Sequence, residues 1–261
     1  MLRLEHISKT FHAGTMDEKK ALQNISFTLK EGDFVTIIGS NGAGKSTLFN
    51  AICGDFLTDE GKIFLDEKEI TFLPSHQRAK EIGRLFQDPM RGSAPGMSIE
   101  ENLALASGKG GWLSSVSKAE RKAFREQLAL LGMGLEDRMK QPVGLLSGGQ
   151  RQALTLMMAT LNVPKVLILD EHTAALDPAT ADKVLKITKE VVAKHNITTL
   201  MVTHNMQNAI DLGNRTFMMD SGRIVMDVSG EERKGMTVAD LLERFKKGVG
   251  KELDNDRMLL H

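Results

Sequence analysis

The chain is poor in cysteine, tryptophan and tyrosine, with one, one and none of each among its 261 residues. A single cysteine, Cys53, cannot form an intrachain disulfide, which is typical of a protein from a reducing compartment. Cys53 is either a reactive thiol or a small apolar side chain packed under a helix. We favour packing, because free cysteines are commonly buried and inert.

Long hydrophobic runs and an excess of one charge are also missing. No window approaches the roughly 18 apolar residues of a membrane-spanning helix, and the first residues lack the apolar segment of a signal peptide. The 34 basic residues balance the 34 acidic ones. Because nucleic-acid-binding proteins usually carry a basic excess, this balance disfavours a nucleic-acid partner. We predict a cytoplasmic chain that reaches a membrane only through a partner.

Two kinds of strand pattern are present. Arg3–Ser8 and Leu22–Leu29 alternate apolar and polar residues, which predicts half-buried antiparallel strands. Asp33–Gly39, Lys165–Asp170 and Thr198–His204 are nearly continuous apolar runs, which are typical of strands buried on both faces of a parallel sheet. Helical periodicity lies between them, so we predict an α/β fold with a mainly parallel core sheet and an N-terminal antiparallel β subdomain.

The stretch from about residue 90 to 144 has no strand pattern and predicts an inserted α-helical subdomain. Ser117 and Glu120 form a capping-box pattern, and apolar residues follow on one helical face: Phe124, Leu128 and Leu131. Trp112 precedes this helix in a predicted loop, either as a contact residue or partly packed. Residues 231–261 are predicted to form a helical tail, whose apolar face either binds a partner helix or, as we expect, covers its own domain.

The segment GSNGAGKST connects a buried strand to an apolar helix and matches the P-loop pattern of nucleotide-binding proteins. Its glycines let backbone N–H groups turn inward around phosphate oxygens, and the helix N-terminus favours an anion. Lysine reaches the terminal phosphates and serine can bind Mg²⁺. The predicted ATP-binding residues are Gly39, Ser40, Asn41, Gly42, Ala43, Gly44, Lys45, Ser46 and Thr47.

An acidic segment, KVLILDE, ends a buried strand in Asp170 and is completed by Glu171, and His172 follows it. These three side-chain types also occur in protein metal sites, but neighbours on an extended chain point to opposite faces and do not converge simply. Beside a P-loop, the pair predicts that Asp170 holds Mg²⁺ through water and that Glu171 orients or deprotonates the attacking water.

A second anion-binding pattern, LLSGGQRQA, opens another helix; we call Leu145–Ala153 the signature segment. Backbone N–H groups at this helix start and the Ser147 hydroxyl again suit a phosphate. One chain does not need two phosphate cradles for one nucleotide. The predicted contacts are Ser147, Gly148, Gly149 and Gln150.

With these motifs, nearly the whole chain, to about Ser229, resembles the ATP-binding cassette (ABC) family of P-loop NTPases. The resemblance implies a cassette over residues 1–230 that hydrolyses ATP with Mg²⁺. It also implies that two copies close head to tail around two ATP molecules. Each nucleotide would lie between the P-loop of one copy and Ser147, Gly149 and Gln150 of the other.

Further positions match the family residue by residue. Gln87, in LFQDP, resembles the glutamine that contacts Mg²⁺ and assists catalysis, and His204, in MVTHN, resembles the histidine that touches the γ-phosphate. Asp177, in ALDP, resembles the aspartate of the D-loop, a segment that contacts the partner cassette. Phe11 stands where the family often stacks a tyrosine on adenine, and His12 is the alternative.

His172 departs from the family pattern, which most often has proline after the catalytic glutamate. Histidine lacks the fixed φ angle of proline and restores a backbone N–H. Its ring either forms a local hydrogen bond, the interpretation we favour, or lies near the nucleotide and gives the activity pH sensitivity.

The resemblance is to single-cassette ATPases of bacterial importers, in which the membrane permease subunits and the extracytoplasmic solute-binding protein are separate chains. It places the chain at the cytoplasmic face of the cell membrane. Met90 and Met97 are either exposed contacts for the permease or fillers of core gaps. A soluble ABC ATPase acting on ribosomes or DNA is less favoured. The chain has one cassette, shows no sustained heptad pattern of a long coiled coil and has a formal net charge of zero. A small-molecule kinase or GTPase would lack the signature segment.

Overall fold

A computed structural model describes residues 1–108 and 116–249, and the chain divides into two compact units. The first unit contains Met1–Ile82, Lys165–Asp170 and the residues from Asn196 on, and the second contains Gly83–Pro164 and Glu171–His195. The predicted Trp112 loop and residues 250–261 of the predicted tail lie outside the described residues.

Five of the ten strands in the described part of the chain follow predicted patterns, each a few residues longer or shorter than its pattern, and the other five were not predicted. In chain order the strands are β1 (Leu2–Phe11), β2 (Lys19–Leu29), β3 (Phe34–Gly39), β4 (Glu60–Leu65), β5 (Lys68–Glu69), β6 (Ile82–Leu85), β7 (Val166–Asp170), β8 (Thr198–Val202), β9 (Arg215–Asp220) and β10 (Arg223–Ser229).

The helices in chain order are α1 (Lys45–Cys53), α2 (Ser75–Arg78), α3 (Ile99–Ser107), α4 (Lys118–Leu130), α5 (Gly148–Thr160), α6 (Pro178–His195), α7 (Met206–Leu212) and α8 (Val238–Val249). The second unit holds α3 to α6, and α3, α4 and α5 each begin with a capping box. The predicted box of Ser117 and Glu120 is among them. Phe124, Leu128 and Leu131 are buried, as the helical periodicity indicates.

The strands form two sheets. The antiparallel sheet has the order β2-β1-β4-β5. The other has the order β10-β9-β3-β8-β7-β6, and the first unit ends within β6, at Ile82. Strand β3 pairs parallel with β8 and β9, and β7 pairs parallel with β8. The prediction of a mainly parallel core sheet with an antiparallel β subdomain is therefore confirmed.

The core of the first unit lies between these strands and α1. Leu48, Phe49 and Ile52 of α1 are fully buried in one apolar cluster with residues of β3 and β7. Cys53 belongs to the same cluster, so its interpretation as a packed apolar side chain is confirmed.

The apolar face of the C-terminal helix α8 packs on its own unit. Leu241 and Phe245 are buried in a second cluster, which includes Ile38, Met218 and Val228. Of the two interpretations of this helix, the one in which it covers its own domain agrees with this packing.

Candidate nucleotide-binding site

The P-loop follows β3, all of whose residues are buried, and leads into α1. Two of its glycines are required by close backbone contacts. A Cβ atom on Gly39 would lie 2.2 Å from the carbonyl oxygen of Met219, and one on Gly44 would lie 2.5 Å from that of Ala21. Gly44 also has φ 101°, in the left-handed region that glycine adopts without strain. The loop is thereby held against the sheet in one conformation.

The start of α1 suits an anion. The N-cap residue is Gly44, and no side chain caps this helix end. The first N–H groups of the helix therefore have no side-chain cap, and the positive end of the helix dipole lies at this end. Asn41, Gly42 and Ser46 are exposed around this end. These are the features of a phosphate-binding helix N-terminus.

Lys45 lies within the loop rather than in solvent. It is 5% exposed, and its Nζ donates to the carbonyl oxygens of Gly39, at 2.8 Å, and of Ser40, at 3.0 Å. The positive charge is thus held at the centre of the loop, where phosphate oxygens would be its strongest partners.

Two predicted site residues and the P-loop, all in the first unit, lie at the same edge of the parallel sheet. Asp170 ends β7 and pairs with Val202 of β8. Val202 pairs in turn with Ile37 of β3, two residues before the P-loop begins. His204 follows β8 and is exposed. Because the carboxyl ends of parallel strands share one edge, the P-loop, Asp170 and His204 all lie at this edge.

The oxygen donors at this edge suit Mg²⁺. Ser46 supplies a hydroxyl in the first turn of α1, and Asp170 supplies a carboxylate at the end of β7. Hydroxyl and carboxylate oxygens are the ligands that Mg²⁺ prefers, and the ion usually arrives with substrate phosphates. In the described part of the chain, no group of three or more His, Cys, Asp or Glu residues is placed to hold a metal on its own. The Asp170, Glu171 and His172 run is therefore not a protein-only metal triad.

Phe11 lies at the end of β1, in the first unit, and is half-buried. Its ring packs edge-on against Phe56, with the centroids 5.3 Å apart. His12 is exposed and has φ 54°. The Lys9 ammonium also lies 5.7 Å from the centroid of the Phe11 ring, whereas the exposed His12 ring has no such contact among the described residues.

Glu171 opens the tight turn that follows β7. Its φ of 47° is in the left-handed region, which costs energy for any residue with a Cβ atom. Its carbonyl oxygen accepts a hydrogen bond from the Ala174 N–H at 3.0 Å, which closes the turn. The side chain is half-buried.

His172 points into the second unit. It is 3% exposed, and its Nε2 lies 3.2 Å from Oγ1 of Thr188 on α6. Burial lowers the pKa of His172 to about 4, so the ring is neutral near pH 7. The favoured interpretation, a local hydrogen bond, agrees with this placement.

The signature segment begins α5 in the second unit. Ser147 accepts the N–H of Gln150 at 3.3 Å, and the side chain of Gln150 accepts the N–H of Ser147 at 3.2 Å. Gln150 also donates to the carbonyl oxygen of Met133 at 3.2 Å. Ser147 and Gly148 are exposed at this helix start, whereas the Gln150 side chain holds the segment to its own unit.

The D-loop contacts the signature segment within the same unit, which the sequence analysis missed. A Cβ atom on Gly148 would lie 3.1 Å from Cδ2 of Leu176, and one on Gly149 only 2.0 Å from Cγ2 of Thr180. Asp177 accepts the Thr180 N–H at 3.1 Å, and hydrogen bonds from the side chain and the backbone of Thr180 lower the pKa of Asp177. No local pattern signals such contacts, because the partners are about 30 residues apart.

Gln87 lies just after β6, in the second unit, and its side chain is exposed. Asp88 then caps a short 3₁₀ turn by accepting the Met90 N–H at 2.9 Å. Met90 is 39% exposed, as expected of a contact residue, whereas Met97 is half-buried. The two methionines, which the sequence pattern treats alike, therefore differ in environment.

Comparison with known proteins identifies the family. Residues 22–174 match the family described as ABC transporter. The chain is 43% identical over 251 residues to a tyrosine transport ATP-binding protein of Clostridioides difficile, and the match covers 95% of this chain and all of that protein. The chain belongs to the ABC transporter family. It is 32% identical to a methionine import ATP-binding protein of Streptococcus agalactiae, over 91% of this chain and 68% of that protein.

A solved ABC cassette has the same fold. It was determined as a dimer in a post-hydrolysis state with ADP and Pi, and it superimposes with a TM-score of 0.76 at 28% identity, covering 88% of this chain and 98% of that one. The present chain is thus the ATP-binding, ATP-hydrolysing subunit of an ABC transporter. Its P-loop, Asp170 and His204 lie in the first unit, and Gln87, Glu171, Asp177 and the signature segment in the second.

Proposed function

We propose that this ABC subunit powers the uptake of an amino acid through separate membrane permease subunits, by ATP-driven closure of a dimer. The observation that carries the proposal is the full-length match to a tyrosine transport ATP-binding protein. A methionine import ATP-binding protein among the relatives supports the same substrate class.

ATP binding begins at the P-loop in this proposal. The N–H groups at the start of α1 and the Lys45 ammonium hold the β- and γ-phosphates. Ser46, Asp170 and Gln87 would hold Mg²⁺, which would supply charge neutralisation on the phosphates. Phe11, at the end of β1, stacks on the adenine.

Hydrolysis needs a positioned water more than covalent help. Glu171 accepts a proton from the water or orients it, and the water oxygen attacks the γ-phosphorus as the bond to ADP breaks. His204, at the same sheet edge as the P-loop, donates to a γ-phosphate oxygen and stabilises its developing charge.

The signature segment serves the nucleotide of a second copy of the chain. Ser147, Gly148 and Gly149 present a hydroxyl and helix-start N–H groups to that γ-phosphate. The Gln150 side chain is occupied by its capping box and by Met133, so we assign it the role of keeping the segment in shape. The related cassette that was solved as a dimer with ADP and Pi supports dimer formation.

The membrane partners must supply the transmembrane path. Among the described residues, no helix is both long enough and apolar enough to cross a bilayer. We place the subunit at the cytoplasmic face of the cell membrane, docked on integral permease subunits, with an extracytoplasmic solute-binding protein delivering the solute. Exposed Met90, three residues after Gln87, is a candidate contact with the permease.

The test is to purify the chain with its native membrane partners, reconstitute the complex in proteoliposomes and measure ATP-dependent accumulation of labelled amino acids. We expect accumulation of one or a few amino acids in the native complex and none with Lys45→Ala. Accumulation of another solute class would overturn the assigned substrate. Recovery of ribosomes or DNA instead of permease subunits would overturn the transporter role.

A further inference from the structure

The turn of residues 171–174, which we call the catalytic turn, contains a backbone conformation that residues other than glycine rarely adopt. Glu171 has φ 47°, and no glycine stands at this position. Such a conformation is strained for a residue with a Cβ atom and persists only where the surroundings hold it. Within the turn, the Ala174 N–H to Glu171 carbonyl hydrogen bond contributes to this restraint. The next residue, His172, carries a second contact.

The hydrogen bond of His172 has a defined direction. The Thr188 hydroxyl donates its proton to the Val184 carbonyl oxygen, at 2.8 Å. Oγ1 of Thr188 can therefore only accept from the histidine ring, and Nε2 of His172, 3.2 Å away, must carry the hydrogen. An imidazole ring with its hydrogen on Nε2 provides this N–H.

This bond reaches from the catalytic turn into the interior of α6. Thr188 is 1% exposed and lies in the third turn of this 18-residue helix. His172 is 3% exposed, so water does not compete for the bond. The backbone of His172 is joined directly to that of Glu171, and its ring is fixed to a buried point on a long helix.

We propose that His172 is a positioning residue, which holds Glu171 in its hydrolytic conformation through the hydrogen bond to Thr188. The inference rests on the proposed role of Glu171 as the residue that activates water. In the family that the chain resembles, proline is the usual residue at the position of His172. Where proline would restrict the backbone through its ring, this chain restrains the turn through a side chain anchored on α6.

The test is a double-mutant cycle of His172→Leu and Thr188→Val, with the kcat and KM for ATP measured in each variant. Each single change should lower kcat about tenfold, the effect of losing about 1.4 kcal/mol of positioning, with KM for ATP unchanged. The double variant should be no slower than the slower single variant, because both changes remove the same bond. His172→Gln and Thr188→Ser keep a donor and an acceptor and should restore most of kcat.

Thr160→Val is the matched control, because the Thr160 hydroxyl bonds only to backbone carbonyls of its own helix. It should lower kcat by less than twofold. Native kcat in His172→Leu or Thr188→Val, or losses that multiply in the double variant, would overturn the positioning role. Failure of the proposed role of Glu171 is distinguishable, since it would show as retained ATPase activity in Glu171→Gln.

Discussion

A Cβ atom added to Gly149 would lie 2.0 Å from Cγ2 of Thr180, a separation that real Cβ contacts do not reach. The signature segment and the start of α6 therefore pack against each other with no room for a side chain between them. Thr180 is also the residue whose N–H is capped by Asp177. Gly149 is thus required by packing as well as by access to a phosphate.

Gly149→Ala should destabilise the protein because the added methyl group overpacks this contact. Overpacking typically costs about 1–3 kcal/mol, which corresponds to a Tm lower by roughly 5 °C. Adding Thr180→Ala removes Cγ2 and leaves Cβ at an ordinary 3.5 Å, so the double variant should regain most of the lost Tm. Equal Tm values for the single and double variants would show that Thr180 does not explain the glycine.

Lys45→Ala should weaken ATP binding at least tenfold, because the loss of a charge-assisted contact to phosphate costs about 1.5–3 kcal/mol. Equilibrium binding of a fluorescent ATP analogue measures the change. Lys62→Ala is the control, since Lys62 is 59% exposed and pairs only loosely with Glu69, at 3.4 Å. An equal loss of affinity in both variants would contradict the role of Lys45.

Arg78 should be needed for stability, because its guanidinium satisfies four backbone carbonyl oxygens at 2.7–2.9 Å. Two belong to Ala51 and Ile52 in the last turn of α1, and two to Thr71 and Leu73. Lysine lacks the planar five-donor fork. Arg78→Lys should therefore lower the free energy of unfolding by about 2–4 kcal/mol in urea denaturation.

The control for this change is Arg223→Lys, since Arg223 is exposed and its guanidinium bonds the side chain of Gln23 at 3.1 Å. Its unfolding free energy should change by less than about 0.5 kcal/mol. If Arg78→Lys were equally mild, the carbonyl contacts would contribute little to the stability of α1.

The ATPase pH profile between pH 6 and 8 should have the same shape in the native chain and in His172→Gln. Burial lowers the pKa of His172 to about 4, so the ring does not titrate in this range. Initial rates at saturating ATP measure the profile. A profile whose midpoint shifts with the substitution would favour the alternative in which His172 senses pH beside the nucleotide.

The fold was predictable where one local pattern determines the structure. Continuous apolar runs mark β3, β7 and β8, and the P-loop pattern locates the start of α1. What the sequence did not show depends on distant partners. His172 and Thr188 are 16 residues apart, and no periodicity predicts the hydrogen bond between their buried side chains.

The role of Gln150 also depends on three-dimensional context. The motif predicts a nucleotide contact, and it does not show that the side chain also bonds to Ser147 and to the Met133 carbonyl oxygen, 17 residues upstream. Met90 and Met97 are the same residue type but differ in exposure. The sequence does not show this difference, because it arises from packing.

Glu171→Gln is the substitution that tests ATP hydrolysis by this chain most directly. The amide keeps the size of the carboxylate but cannot take a proton from water, so turnover should fall at least about a hundredfold while ATP still binds. Phosphate release and size-exclusion chromatography with ATP and Mg²⁺ give the two readouts. We expect an ATP-bound dimer with almost no phosphate release, and full ATPase activity in Glu171→Gln would contradict the assigned mechanism.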